Sequence, residues 1–413
     1  MKTKNKKEKL IPELRFPEFK EEWKNLNLGY FLSFKNGANA PKSSYGRGYK
    51  FINVLDIINN PHITYDSIRQ EVNISKDIFE KNNVEYGDIL FQRSSETPEE
   101  VGQSNVYLDE EKPATFGGFV IRGKKIKEYN PLYFNYLLKT YKARKEIVIR
   151  GCGSTHFNIG QEDLRETPII ISSNMQEQQK ISSFLSLIDR KIELLNKKKE
   201  LLEIYKKGVM QKIFNRDIRF KDINGNNYPE WEEKRLGEVL EERNERSTTK
   251  NQYPILTSSN QGIFFQEEYF DKQTASINNI GYKIIHKGDL TYRSMSDTGS
   301  FTFNIQNLIE KGLISPAYPV LIANNESINT FLEHYLNHAP FLLKQIKQLR
   351  EGGTRFALSV SKFKKLRILL PNEDETKKIT KLFQLIDNLN IKNNLEILLV
   401  KNFKEGLLQK MFI

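Results

Sequence analysis

Between Asn174 and Phe214 apolar residues recur at alternating steps of four and three. They are Ile181, Leu185, Ile188, Ile192, Leu195, Leu202, Val209 and Ile213, and the skipped slots hold Lys199 and Lys206. A heptad seam of that length predicts one long helix with a coiled-coil face rather than an ordinary surface helix. Asn174 suits its N-cap, and Glu177 three residues later suits the second half of a capping box. At about 1.5 Å per residue the stretch spans about 60 Å.

The pattern returns from Asn372 to Phe412. Ile379, Phe383, Ile386, Ile397, Val400, Leu407 and Met411 hold the seam, Lys404 matches Lys206, and Asn390 and Asn393 stand in two seam slots. Asn372 and Glu375 repeat the cap, and Leu187–Asp189 recurs as Leu385–Asp387. Gly208, Gln211, Lys212 and Phe214 recur as Gly406, Gln409, Lys410 and Phe412. Unrelated heptad helices share leucines, but not a cap, a triplet and a tail in one gapless register. The chain is therefore an internal duplication.

Each copy has the same order ahead of its helix. Arg15-Phe16, Trp23 and Leu28-Gly29 recur as Arg219-Phe220, Trp231 and Leu236-Gly237. β-Branched and aromatic runs predict strands at Tyr49–Val54, Asp88–Arg93, Thr115–Ile121 and Pro168–Ile171, and Pro131–Ile147 reads as a helix with Pro131 in its first turn. In the second copy Gly288-Asp289 matches Gly87-Asp88, Tyr335-Leu336 matches Tyr136-Leu137, and Gly352–Phe356 matches Gly153–Phe157. The expected layout is a tail at 1–16, a body at 17–172, a helix at 173–216, a second body at 217–371 and a second helix at 372–413. The fold class is α+β: two similar α/β bodies separated by an antiparallel pair of long coiled-coil helices, with pseudo-twofold internal symmetry. That symmetry would bring the two chain termini together, as Phe214 lies near Arg219. The frame repeats while the middles of the bodies diverge, as expected of two modules that bind different targets.

The 413 residues carry a net charge of +12 and a pI near 9.3, which favours a polyanionic partner, most simply nucleic acid. No apolar run approaches the roughly 20 residues that span a bilayer, and Met1–Leu10 is basic without a signal peptide's apolar core. The single cysteine, Cys152, suits the cytoplasm. No phosphate-cradling glycine loop or nucleotide fingerprint is present. His334 and His338 have ligand spacing on a helix but no third ligand, so a surface pair is expected; Cys152 with His156 is likewise an incomplete metal motif.

The polar loops fit DNA readout better, because Arg, Asn, Ser and Thr present the donors and acceptors that read base edges and phosphates. The candidates in the first body are Lys42, Ser44, Arg47, Arg93, Ser94, Thr155, His156 and Asn158. Those in the second are Ser258, Asn260, Arg293, Ser294, Thr354 and Arg355.

Taken in order and in duplicate, the Trp/Leu-Gly segments, the glycine loops and the two Gly-x-x-Gln-Lys-x-Phe helices resemble the specificity subunits of type I restriction–modification systems. The resemblance implies a chain that is not itself catalytic. It implies two target-recognition domains, each reading one half of a bipartite, asymmetric site on double-stranded DNA, and helices that set the spacer. It further implies partners: two methyltransferase (modification) subunits that bind S-adenosylmethionine, and restriction subunits that use ATP and magnesium. No cofactor is expected in this chain. From the residues alone, a stand-alone nuclease or methyltransferase and a coiled-coil nucleic-acid scaffold remain alternatives.

Overall fold

Each body closes on itself before its long helix begins. The strand Lys24–Asn27, just after Trp23, pairs antiparallel with the last strand of its body, Pro168–Ile171, with Lys24 opposite Ile171. Glu232–Arg235 pairs in the same way with Arg367–Leu370. Ile169 and Ile171 are buried in the core while Pro168 and Ile170 are half-buried, the period-two pattern of a one-sided strand. The computed structural model describes residues 9–37, 40–269, 278–323, 325, 328–349 and 356–413. The chain divides into one unit of Met1–Leu195 with Glu396–Ile413 and another of Asn196–Leu395.

The first unit is built on a four-stranded antiparallel sheet in the order Leu32–Asn36, Val120–Lys125, Ile89–Gln92, Ser104–Val106. The second repeats it with Leu240–Glu242, Val320–Ala323, Leu290–Tyr292 and Phe303–Ile305. Ile89–Gln92 is buried at every position, hence its apolar run. Asp88 is buried beside it, and its carboxylate accepts the backbone N–H groups of Glu85 (3.1 Å) and Lys125 (2.9 Å), tying the strand's start to its neighbour.

Three expected elements break, each at a residue with a local reason. The strand expected at Tyr49–Val54 runs from Tyr45 to Ile52 and stops at Asn53, which caps the helix Val54–Asn59 through its side chain. The strand expected at Thr115–Ile121 splits into Thr115–Phe116 and Val120–Lys125 around a turn at Gly117-Gly118. The helix expected at Pro131–Ile147 becomes Pro131–Lys139 and Tyr141–Val148, because Thr140 takes an extended backbone and caps the second piece through its hydroxyl.

The long helices run Met175–Phe214 and Glu373–Met411. Asn174 caps the first by accepting the N–H groups of Gln176 (2.9 Å) and Glu177 (3.2 Å), and Asn372 accepts that of Glu375 at 2.9 Å. Glu177 does not close a capping box. Its carboxylate takes Arg15 Nε (2.6 Å) and Nη2 (2.9 Å), Trp23 Nε1 (3.2 Å) and the Ser172 hydroxyl (2.5 Å). Glu375 binds Arg219 and Trp231 alike. A buried carboxylate requires charged and N–H partners, and the lead-in segment supplies them.

Each unit contains parts of both helices. In the first, Leu407, Met411 and Phe412 join Ile181 and Leu185 in the core around Trp23. In the second, Met210, Ile213 and Phe214 join Ile379 and Phe383 around Trp231. The pairing is antiparallel within each unit: Lys404 meets Asp189 while Lys191 meets Glu396, and Lys206 meets Asp387 while Phe214 packs on Phe383. Every seam residue read from the heptads is buried or half-buried, including Ile188, Ile192, Leu195, Leu202, Ile386, Ile397 and Val400. In the first unit the tail packs on the far helix, with Leu14 N–H on Lys410 O at 2.9 Å and Lys410 on Glu13 at 2.7 Å.

Candidate nucleic-acid interface

In the first unit the polar loops converge. Ser94–Ser95 pairs antiparallel with Phe157–Asn158, and the Ser94 hydroxyl donates to the Asn158 side chain. Thr155 and His156 are exposed in the loop just before that strand. Gly153 sets the loop's shape: its φ is +149°, and a Cβ there would stand 1.9 Å from His156 O. Arg93 is exposed, and its N–H donates to Phe119 O at 2.9 Å. The turn carrying Phe119 seats Gly117 against the Phe51 ring, and that ring packs on Tyr45 at 5.3 Å. Tyr45 follows the short helical turn Lys42–Ser44, in which Lys42 is exposed and Ser44 half-buried; Arg47 is exposed on the strand beyond. A path of contacts thus runs from Tyr45, which lies between Ser44 and Arg47 in the chain, to Arg93, Ser94 and Asn158.

In the second unit an open cleft of about 450 Å³ gathers Ser258, Asn260 and Arg293. Asn260 and Arg293 are exposed. Ser258 is buried, and its hydroxyl accepts from Asn304 Nδ2 at 2.8 Å, so it braces the cleft wall. The Ser294 hydroxyl donates to Ala317 O at 2.9 Å. Thr354 and Arg355 lie outside the described residues. Ser296, Thr298 and Tyr318 also line the cleft; Ser296 and Tyr318 stand where the first unit has Ser95 and Val120, and only the folded chain brings them together.

The two arginines are not equivalent. Met295–Ser296 pairs with Phe356–Ala357 as Ser94–Ser95 pairs with Phe157–Asn158. Leu358 N–H donates to Ser294 O as Ile159 N–H donates to Arg93 O. Ser294 therefore holds the position of Arg93, and Arg293 that of Gln92. A one-residue offset in a strand changes the face on which a side chain emerges.

A charged joint at the Leu-Ile-Asp motif ties each body to the helices. Asp189 accepts Lys404 Nζ (2.5 Å) and the Tyr136 hydroxyl (2.6 Å). Burial, with the Asp189 carboxylate beside it, pushes the Tyr136 phenol up. Asp387 takes Lys206 and His334 Nε2, the latter at 3.3 Å. Burial favours the neutral form of Asp387, but the hydrogen bonds and charges of His334 and Lys206 outweigh it and hold the carboxyl below its usual range. His334 still stacks on His338, with ring centroids 6.5 Å apart, but it is not on the surface: it is buried against Asp387 and the Phe383 ring. By contacts Tyr136 corresponds to His334, and Tyr133 (on Trp23 and Phe412) to Phe331 (on Trp231 and Phe214). This is one residue away from the sequence match of Tyr136 with Tyr335.

Among the described residues no group of three or more His, Cys, Asp or Glu is placed to hold a metal ion, and no helix is long and apolar enough to cross a membrane.

The sequence profile of the type I restriction modification DNA specificity domain matches residues 20–204 and again 228–399. A Methanocaldococcus jannaschii protein, provisionally named type I restriction enzyme MjaX specificity subunit, is 25% identical over 410 residues, covering 93% of this chain and 91% of its own. The crystal structure of a type I restriction–modification S subunit from M. genitalium aligns over 98% of this chain and 99% of its own, with TM-score 0.55 and 17% identity. A chain solved in work on complex assembly and conformational transition of the type I R-M system aligns over 94% and 97%, with TM-score 0.58 and 14% identity. With the profile matched twice over most of its length, on two units of one duplicated fold, this chain belongs to the type I restriction–modification DNA specificity family and is a specificity subunit with two such domains.

Proposed function

We propose that each unit reads one half of a bipartite, asymmetric DNA site. In this reading the long helices set the spacer and dock two modification subunits, and the chain performs no chemistry of its own. The observation that carries it is a shared frame with unlike exposed residues: Arg93 stands where the second unit has Ser294, and the second unit's exposed Arg293 stands where the first unit buries Gln92. Two frames that present different donors and acceptors will prefer different base edges. The DNA contacts proposed are the exposed candidates Lys42, Arg47, Arg93, Thr155, His156, Asn158, Asn260 and Arg293, with Ser44, Ser94 and Ser294 supporting them. Docking is supported by apolar side chains left exposed on the long helices, among them Leu187 and Leu399. S-adenosylmethionine, ATP and magnesium would be held by the partner subunits, in the cytoplasm.

The test is to map methylated bases in a host carrying this chain with its modification subunit, before and after inserting four residues behind Asn196. The expected result is a two-part target whose spacer changes while both halves stay the same. Altered half-sites would refute the spacer role, and methylation or cleavage by the purified chain alone would refute the non-catalytic one.

A further inference from the structure

On the reading face of the first unit the large aromatic side chain of Phe119 stands in solvent, 68% exposed. Its backbone is fixed. Val120 N–H closes the turn on Gly117 O at 2.9 Å, Gly117 N–H donates to Ile52 O at 3.1 Å, and Arg93 N–H donates to Phe119 O at 2.9 Å. The Arg93 guanidinium reaches Gly118 O at 3.5 Å. The turn is also wedged between its neighbours: a Cβ on Gly117 would stand 2.8 Å from the Phe51 ring, and one on Gly37 would stand 2.1 Å from Gly117 O. A tightly seated turn with an exposed aromatic tip, hydrogen-bonded through its backbone to an exposed arginine that leads into the Ser94–Asn158 pair, is built to push a ring into something flat.

Exposed single hydrophobics are common on protein surfaces, so the position matters more than the exposure. Apolar side chains inserted between base pairs from a fixed backbone unstack a step and kink the duplex, while neighbouring arginines hold phosphates. We propose that Phe119 is such a wedge: it enters one base step of the half-site read by the first unit, and Arg93 grips the adjoining backbone. The proposal rests on the DNA-reading function above. It also separates the two units, because the matching turn of the second, closed by Tyr318 N–H on Ser315 O at 2.9 Å, carries Ala317 in the place of Phe119. The second unit therefore reads its half without unstacking.

The experiment uses the assembled complex with modification subunits and the target duplex, substituted with 2-aminopurine at successive steps. With the base that each modification subunit would flip left unsubstituted, the wild type and Phe119→Trp should raise 2-aminopurine fluorescence at one step, in one half-site only. Phe119→Ala should abolish that rise and weaken target binding about 5- to 150-fold, the range for losing one aromatic–base contact, with the salt dependence unchanged because no phosphate contact is lost. No rise at any step with the wild type overturns the wedge, as does Phe119→Ala with wild-type affinity and fluorescence. A Phe119→Ala chain that no longer assembles with the modification subunit places Phe119 on a protein contact and also overturns it. A wild-type complex with no preference for any duplex removes the DNA-reading function itself, and the wedge with it.

Discussion

Replacing Glu375 by alanine tests how each body is fixed to its helix. The carboxylate is fully buried and takes Arg219 Nε (3.2 Å), Arg219 Nη2 (2.9 Å) and Trp231 Nε1 (3.1 Å). Removing one partner of a buried pair costs about 3–5 kcal/mol, because the remaining charge stays buried uncompensated. Arg219 keeps Glu230 at 2.8 Å and the Tyr228 carbonyl at 3.2 Å, which places the expected loss near 3 kcal/mol. Glu375→Gln keeps an acceptor for the indole and should cost roughly 1–2 kcal/mol. Arg219→Met with Glu375→Met removes both charges but leaves the Trp231 indole N–H without its acceptor, and should recover roughly 1–2 kcal/mol of that loss. The chain's two tryptophans, Trp23 and Trp231, sit one in each hub, so a Trp23→Phe background leaves Trp231 fluorescence reporting the second unit alone during guanidinium unfolding. A loss below about 1 kcal/mol for Glu375→Ala, or a double variant as unstable as the single one, would refute the hub as the anchor.

Two further outcomes follow from the geometry. Gly153→Ala places a Cβ 1.9 Å from His156 O at a φ of +149°, so the reading loop must rearrange; methylome mapping should show the first half-site lost or altered while unfolding shifts by only about 1–2 kcal/mol, the usual cost of local backbone strain. Asp387 titrates below its ordinary range when folded, so its contribution is present above the unfolded carboxyl pKa of about 3.9 and is lost as pH falls through the lower folded value. Asp387→Asn should therefore flatten the acid-side loss of second-unit stability below about pH 4. The carboxylate is about a third exposed, so the effect should stay under about 1 kcal/mol.

The duplication, the two helices and every seam position were legible in the sequence. Heptad spacing depends only on which residues face a partner helix, and that spacing is preserved in the order of the chain. The lead-in tryptophans and their glycines were legible as well, because they occur twice. Tertiary structure decided what those residues do. Glu177 reads locally as a cap, yet it bonds to Arg15 and Trp23 more than 150 residues away. His334 reads as an exposed helix position, yet it is buried on Asp387. Matching arginine to arginine hides the offset between Arg93 and Arg293; counting on from Gly87-Asp88 and Gly288-Asp289 shows it, and the ladder partners hold the same register. Phe119 lies inside a run that reads as strand, and only the turn at Gly117-Gly118 brings it into solvent. The sequence by itself determined the repeated frame, because periodicity and capping are local. The joints and the reading face came from the fold, because they are made by side chains that meet only after distant strands and helices have closed.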